Sequence, residues 1–337
     1  MQNPSIGQGR KGLFDQFGRH LRSLRLSVTD RCDLRCRYCL PAEGPPLVAR
    51  EGVLSYEEIS RIVRILVRLG IARVRITGGE PLLRRGLPDL VRRLSDLEGI
   101  SDLSLTTNAT RLAPVADILK KSGLNRITIS LDTLKPEVYQ RITRGGDIQA
   151  VLNGISASIG AGLEPLKINT VVLRGINDDE LPELAAFAFS IGAEPRFLEA
   201  MPLGEVGLDN QAYFVEADVI RKQLETRFPL EELGRSPGST AREYRVKGGN
   251  QVLGIISPVS DRFCSSCDRL RLSARGRLQF CLSHEDGIDL QEALRSGVDD
   301  ADLGELIRQG VYRKSPGNRF LEEKEPVYQI SMSGIGG

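Results

Sequence analysis

Six short β-rich runs alternate with amphipathic helical stretches between about residues 24 and 201, and no other feature restricts the fold of this chain as strongly. The runs are LRLSVT, ARVRIT, DLSLTT, RITISL, LKINTVVL and PRFLEAM. Strands separated by a helix run parallel, because the crossover returns the chain to the same end of the sheet before the next strand starts. The first helix is sharply bounded. Ser55 and Glu58 form a capping box, Ile59, Ile62, Val63, Leu66 and Leu69 make one apolar face, and Gly70 ends it. Further helices are expected over 87–97, 114–121, 148–159 and 181–191. Six repeats are too few for a closed eight-stranded barrel, which leaves an incomplete (βα)6 TIM-type barrel or a doubly wound sheet. Both are α/β, and the incomplete barrel is favoured. Either gathers function at the C-terminal strand ends, where Asp30, Gly78, Gly79, Glu80, Thr107, Asn108, Asp132 and Glu199 fall.

After Met201 the pattern changes to a C-terminal α+β extension. A Gly/Asp-rich connector at 203–210 and a helix at 218–228 precede a hairpin turned at Gly248, Gly249 and Asn250. A second hairpin, CSSCDRLRLSARGRLQFCL, carries cysteines at both ends, and helices follow at 290–295 and 303–312. The expected division is a loose segment 1–20, the barrel 21–202, the extension 203–330 and a tail 331–337. No run approaches the roughly 18 apolar residues of a membrane span, and the first twenty residues lack the apolar core of a secretory signal, so the expectation is a cytoplasmic protein. A net charge of +2 and 5% aromatic residues, with no basic stripe among them, argue against a nucleic-acid-binding module.

All six cysteines fall into two trios. An even count invites disulfides, but disulfide frameworks belong to short secreted chains. Cys32, Cys36 and Cys39, spaced by three and two residues, lie in a polar loop after the first strand. Full ligation of a cubane iron–sulfur cluster takes four cysteines, so three would leave one iron open for a small molecule. A zinc knuckle with a distant fourth ligand is the alternative, and the chain has only His20 and His284 to offer. Cys264, Cys267 and Cys281 form the second trio, and His284 completes a Cys3His zinc spacing that the pattern alone leaves open. Arg269 and Arg271 alternate with Leu270 and Leu272, so on a strand their guanidiniums share a face suited to phosphate. Most other arginines near the two trios read as a solvated basic surface.

The first cysteine spacing, Tyr38 before the third cysteine, and the Gly-Gly-Glu-Pro of 78–81 resemble the radical S-adenosylmethionine superfamily. That resemblance implies an open iron chelating the amino and carboxylate groups of S-adenosylmethionine, which an electron from the cluster cleaves to a 5′-deoxyadenosyl radical. The blocks LRLSVTDRCDLRCRYCLP, RITGGEPLLRR, LTTNAT, ISLDTL, LKINTVVLRGIND, RFLEAMPLG and FCSSCDRLRLSARGRLQFCL, with the closing Gly336 and Gly337, resemble the GTP 3′,8-cyclase family within that superfamily. The family resemblance implies two [4Fe-4S] clusters, the second on Cys264, Cys267 and Cys281 with its unligated iron binding guanine, and it leaves His284 outside the ligand set. It implies S-adenosylmethionine contacts from Tyr38, Gly79, Ser130 and Met201, and GTP contacts from Arg25, Arg75, Thr106, Lys167, Arg269 and Arg271. Arg25, Arg269, Arg271, Gly336 and Gly337 would serve catalysis.

Without the resemblance, Ser130, Thr106 and Met201 are ordinary strand residues and Lys167 a solvated strand end. The implied reaction abstracts the 3′ hydrogen of GTP, joins that carbon to C8 of guanine, and gives (8S)-3′,8-cyclo-7,8-dihydroguanosine 5′-triphosphate, the first step of molybdenum cofactor biosynthesis. Implied partners are a flavodoxin or ferredoxin as electron donor and cyclic pyranopterin monophosphate synthase as the next enzyme, with the chain a monomer or homodimer. A rival within the superfamily acts on peptides, though such proteins commonly carry more C-terminal cysteines. The chain departs from the family pattern at Leu40, where methionine is usual, and at Ala109, where glycine is frequent.

Overall fold

Each β-rich run forms a strand in a computed structural model that describes residues 12–44, 50–203 and 211–320. These strands are β1 Ser23–Ser27, β2 Arg73–Thr77, β3 Asp102–Thr107, β4 Arg126–Ser130, β5 Lys167–Val172 and β6 Glu194–Glu199. They pair in parallel and in chain order. The crossover helices are α1 Tyr56–Arg68, α2 Leu87–Ser95, α3 Ala116–Lys121, α4 Pro136–Thr143, α5 Ile148–Gly160 and α6 Leu181–Ser190. The capping box of α1 is formed, with Glu58 N donating to Ser55 Oγ at 3.1 Å and Ser55 N donating to Glu58 Oε2 at 2.7 Å. Helix α4 escaped the sequence reading. It has only Val138, Tyr139 and Ile142 as an apolar stripe, and it shares a crossover with the longer α5.

The C-terminal segment contributes α7 Ala217–Glu225, β7 Leu230–Gly234, β8 Ala241–Val246, β9 Val252–Ile256, β10 Arg269–Leu272, β11 Arg277–Gln279, β12 Gly287–Asp289, α8 Leu290–Arg295 and α9 Asp300–Tyr312. Both expected hairpins are present, β8 antiparallel to β9 and β10 antiparallel to β11. Their placement was not legible. β9 adds in parallel to β6 and β10 adds in parallel to β1, so the six-stranded sheet is extended at both edges. Among the described residues the sheet runs β12-β11-β10-β1-β2-β3-β4-β5-β6-β9-β8-β7, with β9 and β10 unpaired to each other. The result is a partial TIM-type barrel whose two exposed edges, each a row of unmet backbone groups, are covered by strands from the same extension.

Alternation along each strand divides the sheet into a greasy outside and a polar inside. Leu24, Leu26, Val74, Ile76, Leu103, Leu105, Ile127 and Ile129 are buried against the helices. Their neighbours Arg25, Arg75, Thr77, Thr106 and Thr128 face the lumen cavity. Residues 12–20, expected to be loose, are packed: Leu13 is buried, and Arg19 donates to the carbonyl oxygens of Cys264, Pro316 and Ser315 at 2.8, 3.0 and 2.6 Å. Those partners lie about 250–300 positions away in sequence, so no local pattern announces them. No helix among the described residues is long and apolar enough to cross a membrane.

Candidate active site

The chain leaves β1 and turns back on α4, which holds the first cysteine loop. Arg35 N donates to Thr143 O at 3.1 Å and Arg37 N to Ile142 O at 2.9 Å. Arg144, at φ 56° beyond the end of α4, donates to Arg35 O and Leu40 O at 2.8 Å each. A tight turn, in which Cys39 N and Leu40 N both donate to Cys36 O, folds Cys36 and Cys39 together. All three thiols are free. Burial pushes Cys32 up to about 11 and Cys39 up to about 12, and Cys36 rises well above the usual range through burial and then through Asp132 and the other two thiols. Three thiols that resist ionisation alone, yet sit close enough to repel one another as thiolates, suit a polycationic iron core that supplies the missing positive charge.

The Gly-Gly-Glu-Pro stretch locks this loop to the sheet. Gly79 N donates to Thr29 O and Glu80 N to Arg31 O, both at 2.7 Å. A Cβ on Gly79 would lie 2.2 Å from Arg31 O, and one on Gly78 2.6 Å from Thr29 O. The glycines are therefore demanded by the backbone of the cysteine loop itself. Glu80 is buried and accepts from Leu82 N at 3.0 Å, Asn108 N at 2.7 Å and Thr107 Oγ1 at 2.7 Å. Burial nonetheless raises its carboxyl to about 7. Across the loop, Tyr38 donates its hydroxyl to Asp132 Oδ2 at 2.8 Å, and Val171 N donates to Asp132 Oδ1 at 2.9 Å. Ala109 adopts a left-handed φ of 62°, the conformation that the family's glycine would take without cost.

The second trio is built by the C-terminal hairpin. Cys264 opens a short turn, with Cys267 N donating to Cys264 O at 3.2 Å, and the β10–β11 register of Arg271 with Gln279 brings Cys267 and Cys281 to the same open end. Burial opposes ionisation of Cys267, but the charges of Arg269, Lys314 and Arg19 outweigh it and bring the thiol down to about 7. His284 is engaged on both ring nitrogens, Nε2 with Gly317 O at 2.9 Å and Nδ1 with Ser315 Oγ at 3.3 Å. The Cys3His zinc alternative thus lacks a free fourth ligand. Among the described residues no three His, Cys, Asp or Glu side chains gather closely enough for a single ion.

A row of arginines lines the same cavity as the trios. Arg271, Arg25 and Arg75 are level on β10, β1 and β2. Burial, then repulsion from the neighbouring guanidiniums, holds Arg25 well below its ordinary value; burial foremost brings Arg75 down to about 9 and Arg271 to about 10. Arg269 lies over the Phe263 ring at 5.0 Å, Arg235 lies over the same ring at 5.3 Å, and Arg269 Nε is buried without a partner among the described residues. Among the described residues the Oγ1 atoms of Thr77, Thr106 and Thr128 and Oδ1 of Asn169, all on residues that line the cavity, are likewise buried without a partner. Converging cations with a belt of unmet hydroxyls fit a polyanion carrying a sugar. Lys167 also faces this space, but its ammonium is paired with Glu194 at 2.7 Å, which in turn holds Arg196 at 2.7 Å.

One cavity of about 290 Å³ is lined by both cysteine trios, by Tyr38, Gly79, Ser130 and Met201, and by Arg25, Arg75, Thr106, Lys167, Arg269 and Arg271. Gly336 and Gly337 lie outside the described residues. Asn169, Arg196 and Lys314 line the cavity too and were missed. Asn169 carried a signal, since it shares the lumen face of β5 with Lys167, whereas no residue singled out on β6 shares the face of Arg196 and Lys314 carried none.

Residues 26–188 match the radical SAM superfamily, and residues 193–320 match the family described as Molybdenum Cofactor Synthesis C. The chain is 40% identical over 329 residues to a GTP 3′,8-cyclase of Hydrogenovibrio crunogenus, covering 96% of this chain and 99% of that one. It is 42% identical over 326 residues to the GTP 3′,8-cyclase of Moorella thermoacetica, with coverage of 96% and 99%. Among solved structures, Streptococcus suis SuiB bound to precursor peptide SuiA superposes with a TM-score of 0.64 at 16% identity, over 94% of this chain and 75% of that one. The same protein bound to S-adenosylmethionine gives 0.62 at 17% identity, over 94% and 76%. At that identity the likeness concerns the fold alone.

Proposed function

We propose a division of labour in this cavity from one premise: the chain belongs to the GTP 3′,8-cyclase family of radical S-adenosylmethionine enzymes. Its function is the conversion of GTP to (8S)-3′,8-cyclo-7,8-dihydroguanosine 5′-triphosphate, the step that begins molybdenum cofactor biosynthesis. An iron–sulfur cluster and S-adenosylmethionine, when bound, supply the radical that takes the 3′ hydrogen of the ribose.

In this reading Cys32, Cys36 and Cys39 hold a first [4Fe-4S] cluster, with Tyr38, Gly79, Ser130 and Met201 around S-adenosylmethionine. Cys264, Cys267 and Cys281 hold a second, which seats the guanine. Arg25, Arg75, Arg269 and Arg271 receive the triphosphate, and Thr106 and Lys167 flank it. The observation that carries the reading is the shared cavity: two three-thiol sites open onto it, and the level arginines of β10, β1 and β2 lie on its wall. The task of these residues is geometric. A primary radical reacts with what is nearest, so the guanidiniums must fix the ribose while the buried walls keep water away. Gly336 and Gly337, outside the described residues, are the remaining catalytic residues of this reading, and deleting them should remove cyclisation while both clusters stay. A flavodoxin or ferredoxin delivers the electron in the cytoplasm, and cyclic pyranopterin monophosphate synthase takes the product.

The test is anaerobic incubation of the reduced, reconstituted protein with S-adenosylmethionine and each nucleoside triphosphate in turn. Formation of 5′-deoxyadenosine that depends on GTP, with a cyclised product, is the expected outcome. Equal formation with every nucleotide would remove the substrate assignment.

A further inference from the structure

Lys314 follows α9 and is only 2% exposed, among the largest fully buried side chains of the protein. No carboxylate among the described residues pairs with it; its ammonium donates instead to the carbonyl oxygens of Phe280 and, at 3.3 Å, Arg269. Phe280 precedes Cys281, and Arg269 follows Cys267 by two positions. One buried cation therefore ties together the two arms of the hairpin that carry two of the three C-terminal thiols, and it lines the cavity with all three. A buried ammonium held only by neutral carbonyls is costly unless a negative charge lies near it. Three thiolates on an iron–sulfur core supply such a charge, and the potential of a core of this kind follows the net charge and hydrogen bonds around it.

We propose that Lys314 is a positioning residue for the second cysteine trio, joining its two arms and making the cluster held there easier to reduce. The proposal rests on the two-cluster reading above. A neutral side chain at this position should leave the cluster in place and shift its reduction potential to more negative values.

The experiment uses the full chain with Cys32, Cys36 and Cys39 replaced by serine, so that only the second trio binds iron, reconstituted anaerobically and titrated by electron paramagnetic resonance. This parent should hold about four irons with matching sulfide. A parent without iron would defeat the two-cluster reading itself, whatever Lys314 does. In that background Lys314→Met and Lys314→Gln should keep the iron and titrate at a more negative potential than the parent, while Lys314→Arg returns the potential toward the parent's. Neutral variants that keep their iron at an unchanged potential would overturn the proposal and reduce Lys314 to a fold residue. If both neutral variants lose iron, retention by Lys314→Arg upholds the requirement for charge; loss in Lys314→Arg as well would show that shape alone matters.

Discussion

Arg25 and Arg271 stand level with each other on adjacent parallel strands, β1 and β10, with Arg75 level on the other side of Arg25. Like charges on neighbouring strands weaken a sheet, and burial adds to the cost. Among the described residues neither Arg25 nor Arg75 meets a carboxylate, and Arg25 is held well below its ordinary value by burial and by Arg271, Arg75 and Arg269. The cavity wall thus holds repulsion that a polyanion relieves.

Arg25→Met should accordingly make the ligand-free protein more stable by about 1 kcal/mol. The same substitution should abolish the rise in melting temperature on adding GTP and lower turnover at least about 100-fold, with iron content unchanged. Thermal unfolding with and without GTP reads both effects, and a less stable ligand-free variant would contradict the argument.

Gly79→Ala places a Cβ 2.2 Å from Arg31 O, against backbone that has no flexible end to yield. Overpacking of this kind costs roughly 3 kcal/mol, and the displaced segment is the one that leads into Cys32. The variant should lose iron from the first trio and melt lower. Gly160→Ala, at the end of α5 with nothing within 4 Å of the new Cβ, is the control and should be neutral or slightly stabilising.

Glu80 titrates at about 7 in the folded protein against an ordinary 4.5, because burial disfavours its charge. Between those values the folded state holds a proton that the unfolded state has released, so the contribution of Glu80 to stability falls as pH rises through the window. The full change is about 3 kcal/mol. Glu80→Gln cannot satisfy all three donors from Leu82, Thr107 and Asn108, and is destabilised throughout. The gap between wild type and variant should narrow from pH 4.5 to pH 7 in denaturant titrations. A gap that widens would show that Glu80 is ionised in the fold across this range.

Ala109→Gly exchanges a buried methyl for freedom at φ 62°. Replacing a buried alanine by glycine ordinarily costs about 0.5–1 kcal/mol, whereas the left-handed conformation costs alanine about 1–2 kcal/mol. The melting temperature should therefore hold or rise; a clear fall would mean that contacts of the methyl outweigh the strain.

The six barrel strands were legible because alternation and flanking turns are local signals, and α1 because its cap and apolar face lie within fifteen residues of sequence. The extension was only half legible. Its hairpins could be read, but β9 joining β6 and β10 joining β1 depend on edges formed far away in the chain. The cysteines and the arginine row came from motif blocks. Asn169, two positions beyond Lys167 on β5, follows from the same alternation that put Arg269 and Arg271 on one face. Lys314 could not have been found, since a lysine after an amphipathic helix reads as solvated until the hairpin closes over it. The close passage of the cysteine loop over Gly78 and Gly79 could not be read from the sequence, because Thr29 and Arg31 lie about fifty positions earlier in the chain.

The central claim is that one cavity is served by two incomplete cysteine sites, and metal and sulfide analysis of anaerobically purified protein tests it most directly. The account predicts about eight irons with labile sulfide in the wild type, and about four when either Cys32, Cys36 and Cys39 or Cys264, Cys267 and Cys281 are replaced. About four irons in the wild type, with zinc retained by Cys264, Cys267 and Cys281, would contradict it.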